Sequence, residues 1–397
     1  MIVAQHGSRH RYALPRLLES AGMLEAFYTD STAYSPLGAC ASLFSFIGRC
    51  VSLADRRVEG VPGNKVFSTD AVLVSDLLHR SKSGQPFRDY QRRHAVLSRR
   101  MCQWGTKGAN WVYCMYDEDQ DFMKFARERG LRCAVDVFVN PLTPRIMLEE
   151  QARFPDFPTQ RADSGLVEEM ERYVTTSLRL ADLLTCPSEW VAEGVRTLVP
   201  EAAPRIRIVP YGSSFESREA NTPVPGRVLF AGHDFLRKGL PYLGMAATIL
   251  RGRGRTYDFR IAGPASGQVV SHRLCRELHF LGKLASVEMK QEFASADVFA
   301  LPTLSEGFAS VIIEAMSQGV PVITTPCAGS QITSSVDGML VPARDAEALA
   351  DAVERVVEQR ALRRSLAANA AHYSGRNYTL RAWSQRLASA FGVESHA

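Results

Sequence analysis

Residues 306–323 read EGFASVIIEAMSQGVPVI and place two carboxylates, Glu306 and Glu314, around a loop, a helix start and a following apolar strand. Gly307 frees the backbone beside the first glutamate, and Gly319 can end the helix after its apolar residues. A helix N-terminus presents unpaired N–H groups that suit a phosphate, and carboxylates suit sugar hydroxyls. The pattern therefore indicates a ligand that carries both groups, such as a nucleotide sugar.

A strand is predicted immediately before this stretch. Residues 296–303 read ADVFALPT, a short apolar run that ends just before Glu306. Two glutamates could also have a plain structural role, with Glu306 charging the first helical turn and Glu314 on the solvent face. Because ligands bind beyond the carboxyl ends of parallel strands, the position after a strand favours a binding site.

The rest of the chain alternates apolar strand-like runs with amphipathic stretches of helical length, which predicts an α/β protein with parallel sheets covered by helices. The predicted strands of the first half are 2–4, 109–114, 133–139, 183–186 and 206–212. Those of the second half are 227–232, 259–262, 279–281, 298–301 and 321–324. Between the two series, residues 213–226 are rich in Ser, Glu, Asn, Pro and Gly and predict a linker.

Length and composition agree with two globular domains. The chain has 397 residues, of which 46% are hydrophobic and 22% charged, so neither a disordered nor a fibrous protein is expected. It shows no apolar stretch of membrane-spanning length and no basic-then-apolar signal sequence at its start. The eight cysteines are scattered without C-x-x-C spacing, which favours buried thiols over disulfides and predicts a cytoplasmic location.

A basic segment at residues 80–100 stands out against a modest net charge of +5. It contains Arg80, Lys82, Arg88, Arg92, Arg93, Arg99 and Arg100, with only Asp76 and Asp89 nearby. Two interpretations stay open: a patch that attracts an anionic membrane surface, or a solvated amphipathic helix whose buried side includes Phe87 and Leu97. No nucleic-acid recognition module accompanies the patch, so nucleic acid is not an expected partner.

Seven short motifs, in order along nearly the whole chain, carry a family resemblance. They are HGSR at 6–9, CPSEWV at 186–191, VPYG at 209–212, RKG at 237–239, IAGP at 261–264, LGKL at 281–284 and the motif from Glu306 to Glu314. With them the chain resembles the family 4 (group 1) retaining glycosyltransferases of bacterial type. This resemblance implies a GT-B fold, in which two Rossmann-like domains face each other across the active site.

The resemblance also implies a domain layout. Residues 1–212 would form an acceptor domain, and 227–371 would form a nucleotide-sugar donor domain after the linker. Residues 372–397 would form a C-terminal helix that packs back on the first domain, with Trp383, Leu387 and Phe391 at helical spacing.

Roles for individual residues follow from the same resemblance. Glu306, Arg237 and Lys238 would be catalytic, with the two cations on the diphosphate, Glu306 facing the donor sugar and Glu314 holding the ribose hydroxyls. The remaining donor-binding residues would be Gly7, Gly232, Leu284, Gly307, Phe308, Ala309 and Ser310. On the acceptor side, His6 and Arg9 would flank Gly7, whereas His10 and Arg11 are interpreted as ordinary surface charges.

The chain departs from the family pattern in the first domain and after Gly232. Residues 112–117 lack the histidine that many relatives carry after a central strand, and His233 stands where many have an arginine. Asp117-Glu118-Asp119 spells a D-x-D triplet, but acidic residues at the start of a helix over 118–129 are already explained by the helix dipole. No metal site and no cofactor are therefore expected.

The resulting hypothesis is a cytoplasmic, membrane-peripheral, retaining glycosyltransferase. It would move a sugar from a nucleoside-diphosphate sugar to a hydroxyl of a glycan or lipid-linked acceptor, in envelope or exopolysaccharide synthesis. Two alternatives stay open: a nucleotide-sugar epimerase or hydrolase on the same fold, and a non-catalytic nucleotide-sugar-binding protein.

Overall fold

A computed structural model describes residues 1–43, 56–79, 86–161, 163–213 and 222–393. The first half of the chain forms a seven-stranded sheet whose neighbouring strands are all parallel. Its strands are β1 (Ile2–Gln5), β2 (Ala26–Thr29), β3 (Val66–Ser68), β4 (Trp111–Met115), β5 (Arg132–Asp136), β6 (Leu183–Cys186) and β7 (Ile206–Ile208).

Eight described helices connect and cover this sheet. They are α1 (Ala13–Ser20), α2 (Pro36–Leu43), α3 (Ala71–His79), α4 (Pro86–Trp104), α5 (Gln120–Glu128), α6 (Thr143–Arg153), α7 (Ser164–Leu180) and α8 (Glu189–Leu198). The first four strands in the order of the sheet are β3, β2, β1 and β4, followed by β5, β6 and β7.

The second half forms a six-stranded parallel sheet in the order β10-β9-β8-β11-β12-β13. Its strands are β8 (Arg227–Ala231), β9 (Asp258–Ala262), β10 (Leu278–Gly282), β11 (Val298–Leu301), β12 (Val322–Thr324) and β13 (Met339–Leu340). Its helices are α9 (Leu240–Gly252), α10 (Gly267–Val270), α11 (Ser286–Ser295), α12 (Ser310–Ser317), α13 (Ala346–Glu358) and α14 (Arg360–Asn377), and the chain ends with α15 (Leu380–Ala390).

The six strands of the second sheet follow the same order as the first six strands of the other sheet, and the first strand of each series is third in its sheet. All four residues of β1 and all four of β11 are buried, as expected for parallel strands covered by helices on both faces. The order reverses between β1 and β4 in one sheet and between β8 and β11 in the other. Because ligands bind at such switch points, the loops after these four strands are the positions where a site is expected.

The last helix joins the two halves. Leu366 and Ala370 of α14 are buried in the core of the second half, whereas Trp383 and Leu387 of α15 are buried with Tyr12 and other residues of the first half. The chain thus returns to the first half after Tyr378, a few residues later than the predicted boundary at 371.

The structure confirms the predicted fold class, two Rossmann-like domains with parallel sheets. Each of the ten predicted strands has a counterpart, although β7 is shorter than the predicted 206–212. The predictions missed β2, β3 and β13. Residues 214–221 of the predicted linker lie outside the described residues.

Candidate active site

A cavity of about 420 Å³ lies between the two domains, at their facing switch points. The first domain lines it mainly with the last residues of β1, β4 and β5 and with residues that follow β1 and β5. The second domain lines it with residues that follow β8 and β11. The lining residues are Gln5, Arg9, His10, Leu14, Met115, Asp136, Phe138, Val139, Tyr211, Arg237, Glu306, Gly307, Phe308 and Trp383.

Glu306 is the centre of the second-domain wall. Its Oε1 lies 2.6 Å from Nζ of Lys238 and 2.9 Å from Nη1 of Arg237. Burial by itself would raise the pKa of Glu306, but the two cations outweigh it and lower the pKa below the ordinary value. The carboxylate is therefore ionised at neutral pH, and both cations share it.

The two cations are held in place by groups behind them. Arg237 also donates to Oδ2 of Asp234 at 2.7 Å and to the carbonyl oxygen of Ser305 at 2.6 Å. Lys238 is only 7% exposed, and a Cβ on Gly232 would collide with its methylene chain. Gly232 thus gives Lys238 the space to reach the cavity wall.

The loop after β11 is in close contact with the first domain. A Cβ on Gly307 would collide with the carbonyl oxygen of Phe138, and Ser188 Oγ donates to the carbonyl oxygen of Gly307 at 2.8 Å. The first domain therefore packs against Gly307 so closely that no larger residue fits at this position. Oγ of Ser305 makes a further hydrogen bond of 2.7 Å with Oγ1 of Thr143 across the same boundary.

The helix after this loop begins without a side-chain cap. Ala309 precedes α12 without a side-chain capping bond, and Ser310 is exposed at the first helical position. One turn later, Glu314 is half-buried, and its carboxylate has no hydrogen-bond partner among the described residues. Burial raises the pKa of Glu314, with Lys290 acting in the opposite direction.

In the first domain, the loop after β1 is fixed by two carboxylates. The backbone N–H of His6 donates to Glu118 at 3.1 Å, and that of Gly7 donates to Asp30 at 3.0 Å. These two amides hold the loop itself. Arg9 reaches the cavity, with its guanidinium 3.5 Å above the ring of Phe138 and its Nη2 3.0 Å from Glu118.

The acidic triplet at 117–119 has a different role from the one predicted. The helix begins at Gln120, so Glu118 is not in its first turn, and its buried carboxylate binds the loop after β1. Burial raises the pKa of Glu118 well above the ordinary value, and Arg9 opposes that rise. The helix-dipole explanation therefore does not cover Glu118, whereas Asp119 is the N-cap residue of α5. Among the described residues, no group of three or more His, Cys, Asp or Glu side chains is placed to hold a metal ion.

His10 is exposed, as a surface residue should be, but the sequence analysis missed its place in the cavity. Its ring lies in the cavity wall, with centroids 4.7 Å from Tyr211 and 5.6 Å from Trp383. His10 has a left-handed backbone, φ 47°, and no local pattern predicts that conformation.

Asp136 is a second residue that the sequence analysis missed. It ends β5 inside the cavity and accepts hydrogen bonds from the hydroxyl of Tyr211 at 2.9 and 2.8 Å. A carboxylate at the carboxyl end of a buried strand was the available signal. Burial raises the pKa of Asp136 to about 6, although the bond from Tyr211 acts to lower it.

This raised pKa makes a prediction about stability. The pKa of Asp136 is 3.8 in the unfolded chain, so the folded state binds this proton more tightly. Protonated Asp136 therefore stabilises the folded state below pH 4, and this stabilisation is lost as pH rises through 6. Relative to Asp136→Asn, the wild type should lose about 3 kcal/mol of unfolding free energy across that interval. Denaturant titrations at pH 4 to 8 measure this difference, with the exposed Asp121→Asn as control. A difference independent of pH would contradict it.

The structure brings some predicted site residues together and leaves others apart. Those that line the cavity are Arg9, Arg237, Glu306, Gly307 and Phe308, and Lys238 contacts Glu306 from behind the wall. The other predicted residues do not line it: His6, Gly7, Gly232, Leu284, Ala309, Ser310 and Glu314. Their predicted roles stay predictions.

Comparison with solved structures defines the class of fold as GT-B. The structure superposes on the sucrose-phosphate synthase of Thermosynechococcus elongatus with a TM-score of 0.70 and 18% identity, covering 99% of this chain and 98% of that one. It also superposes on the Anabaena protein HepE in complex with UDP-glucose, with a TM-score of 0.61, 14% identity and 98% of both chains.

Sequence comparison gives a match to the second domain. Residues 225–359 match the family model of group 1 glycosyl transferases. It is 30% identical over 172 residues to the alpha-D-kanosaminyltransferase of Streptomyces kanamyceticus, covering 41% of this chain and 45% of that protein. The lipopolysaccharide core biosynthesis glycosyltransferase of Rhizobium meliloti is 28% identical over 203 residues, 48% of this chain and 58% of that protein. The matches thus span about half the length of these relatives.

Proposed function

We propose that this protein transfers a sugar from a nucleoside-diphosphate sugar to a hydroxyl of a glycan or lipid-linked acceptor. The observation that carries the proposal is the ionised Glu306 held by both Arg237 and Lys238 in the wall of the cavity. Two cations suit a leaving diphosphate, whose negative charge grows in the transition state. A carboxylate beside them suits the hydroxyls of the transferred sugar.

The comparisons support the donor class. The Anabaena protein with the same fold binds UDP-glucose, and proteins similar to part of this chain are named as glycosyltransferases. The relative from Rhizobium is named for lipopolysaccharide core synthesis, which supports a cell-envelope acceptor.

The proposed reaction proceeds with retention of anomeric configuration and without a metal. The acceptor oxygen bonds to the anomeric carbon on the face from which the diphosphate leaves, the carbon–phosphate oxygen bond breaks, and a phosphate oxygen takes the hydroxyl proton. Arg237 and Lys238 would supply the positive charge that a divalent cation supplies elsewhere.

Product analysis tests this function. The wild type would be incubated in EDTA with a panel of UDP- and GDP-sugars and octyl glycosides, and the products examined by mass spectrometry and NMR. A glycoside one sugar longer, with the donor's anomeric configuration, is the expected product. An epimerised nucleotide sugar, or free sugar alone, would point to the isomerase or hydrolase alternative. Donor binding without any product would point to a binding protein.

A surface of the first domain supports a membrane-bound acceptor. On α3, Val74, Leu77 and Leu78 are 43%, 58% and 77% exposed, and Arg88, Arg99 and Arg100 are exposed on the adjacent α4. Apolar side chains beside cations are the combination that an anionic lipid surface attracts. Arg80 and Lys82 of the predicted patch lie outside the described residues.

The other side of α4 packs as the amphipathic interpretation predicts. Leu97 is fully buried, and Arg92 and Arg93 pair with Asp76 on α3. None of the described helices is both long and apolar enough to cross a bilayer. We propose that the domain docks peripherally.

The charge-reversing double variant Arg88→Glu, Arg99→Glu should therefore bind anionic vesicles more weakly. At about 1 kcal/mol for each basic residue near such a surface, affinity for phosphatidylcholine vesicles containing phosphatidylglycerol should fall at least about thirtyfold. The control is a second double variant, Arg276→Glu with Arg364→Glu, which changes the net charge equally at exposed positions of the second domain. Equal binding by the two double variants in vesicle sedimentation would remove the docking proposal.

A further inference from the structure

Three consecutive residues after β1 have a left-handed backbone although none is glycine. His10, Arg11 and Tyr12 have φ values of 47°, 51° and 58°. A left-handed backbone is unfavourable for a residue with a Cβ, so a run of three persists only where surrounding contacts hold it. Strain of this kind is concentrated at functional sites, which makes the position of these side chains informative.

The strained run places the His10 ring in the wall of the cavity. Two buried aromatic rings support it there, since Tyr211 is 5% exposed and Trp383 is 2% exposed. Trp383 belongs to the helix that returns from the second domain, so both halves of the chain build this support. Arg11 shares the backbone strain but does not line the cavity.

The imidazole of His10 is exposed to the cavity and has no hydrogen-bond partner among the described residues. Desolvation by the surrounding walls lowers its pKa, and the nearby Arg9 adds to this effect. A neutral imidazole both donates and accepts a hydrogen bond. The group is thus held in position and available to a ligand.

The neighbours of His10 define the kind of ligand. Tyr211 contacts the His10 ring with its own ring, and its hydroxyl donates to Asp136, so one residue positions two polar groups in the cavity. The donor-side cations stand on the other domain, around Glu306. A carboxyl, an imidazole and aromatic edges together suit the hydroxyls and the apolar face of a sugar ring.

We propose that His10 binds a hydroxyl of the acceptor sugar and orients it toward the anomeric carbon of the donor. The inference rests on the proposed function, in which the hydroxyl proton passes to a phosphate oxygen as the new glycosidic bond forms. His10 contacts the acceptor and takes no net proton. His10 would thus provide a histidine on the acceptor side of this chain, which has none in the loop after β4.

Variants at positions 10 and 11 test this assignment. Calorimetry would measure the binding of UDP and GDP to five proteins: wild type, His10→Ala, His10→Asn, His10→Gly and the control Arg11→Ala. Transfer from the matching nucleotide sugar to octyl glycosides would be measured with acceptor kcat/KM, together with the melting temperature of each variant.

His10→Ala should lower acceptor kcat/KM roughly ten- to hundredfold, the loss expected for one buried hydrogen bond to substrate, while nucleotide affinity changes less than about twofold. His10→Asn, which tolerates the left-handed backbone and keeps a polar group, should recover part of the activity. His10→Gly should melt at a higher temperature than wild type because the strain is relieved, yet transfer as poorly as His10→Ala.

Two results would overturn the inference in distinguishable ways. If nucleotide binding is intact and His10→Ala transfers as well as Arg11→Ala, His10 does not contact the acceptor. If the wild type binds neither nucleotide, the proposed function fails and the inference fails with it. A loss of transfer that simply follows a lower melting temperature in all three His10 variants would assign His10 a structural role.

Discussion

Lys238→Ala is expected to lower sugar transfer by about a hundred- to a thousandfold, the cost typical of removing one group that stabilises charge in the transition state. Lys238 is almost fully buried, and its ammonium is 2.6 Å from Glu306, so water cannot readily replace it in the wall of the cavity. Affinity for the nucleoside diphosphate should fall in the same variant because that charge also attracts the product.

The fold should survive the substitution. Glu306 keeps Arg237 as a partner at 2.9 Å, so no buried carboxylate is left unpaired. Lys124→Ala, which removes a half-exposed lysine on α5, is the matched control and should transfer at the wild-type rate. Transfer by Lys238→Ala within about threefold of wild type, at equal melting temperature, would show that Lys238 does not act on the diphosphate.

Glu306→Gln is expected to separate binding from transfer. Transfer should fall about a hundred- to a thousandfold because the charge that faces the sugar is lost. Affinity for the nucleoside diphosphate should instead rise, by about tenfold, because Glu306 now competes with phosphate for Arg237 and Lys238. The glutamine keeps the size of the side chain and can still accept a hydrogen bond.

Calorimetry and transfer assays on the same preparation measure both effects. Glu128→Gln removes an exposed carboxylate at the end of α5 and should change neither quantity. A parallel fall of affinity and transfer in Glu306→Gln would mean that Glu306 mainly holds the two cations in position. Unchanged transfer would exclude a role at the reacting sugar.

The sequence predicted the parallel sheets because their strands are buried on both faces and read as continuous apolar runs. β11, VFAL, is fully buried and was predicted with its bounds. Two of the three strands that escaped prediction lack this signal: β13 has two residues, and β3 is half-buried throughout at one end of its sheet. The third, β2, is fully buried and was missed all the same. Short or half-buried strands form because they pair with adjacent strands of the sheet, and a single sequence does not show that pairing.

The second-domain wall of the site was predictable because its residues lie in short motifs after predicted strands, although Lys238 and Glu306 are 68 positions apart. Arg237 and Lys238 follow one strand, and Glu306 follows the next strand in the sheet. The first-domain wall depends on tertiary structure. His10 enters the cavity through a left-handed backbone, and Asp136 is recognised by the hydroxyl of Tyr211, which lies 75 residues further along the chain. Glu118 likewise acts through a partner, Arg9, 109 positions away.

The most direct test of the account is a calorimetric titration of the wild type, Lys238→Ala and Glu314→Ala with UDP and GDP in EDTA. We expect the wild type to bind one of the two nucleotides in the micromolar range, and both variants to lose at least about tenfold in affinity. Glu314 lies outside the cavity, so a loss in that variant would also place the ribose beside α12. Failure of the wild type to bind either nucleotide would contradict the claim that the cleft between the two domains is a nucleotide-sugar site.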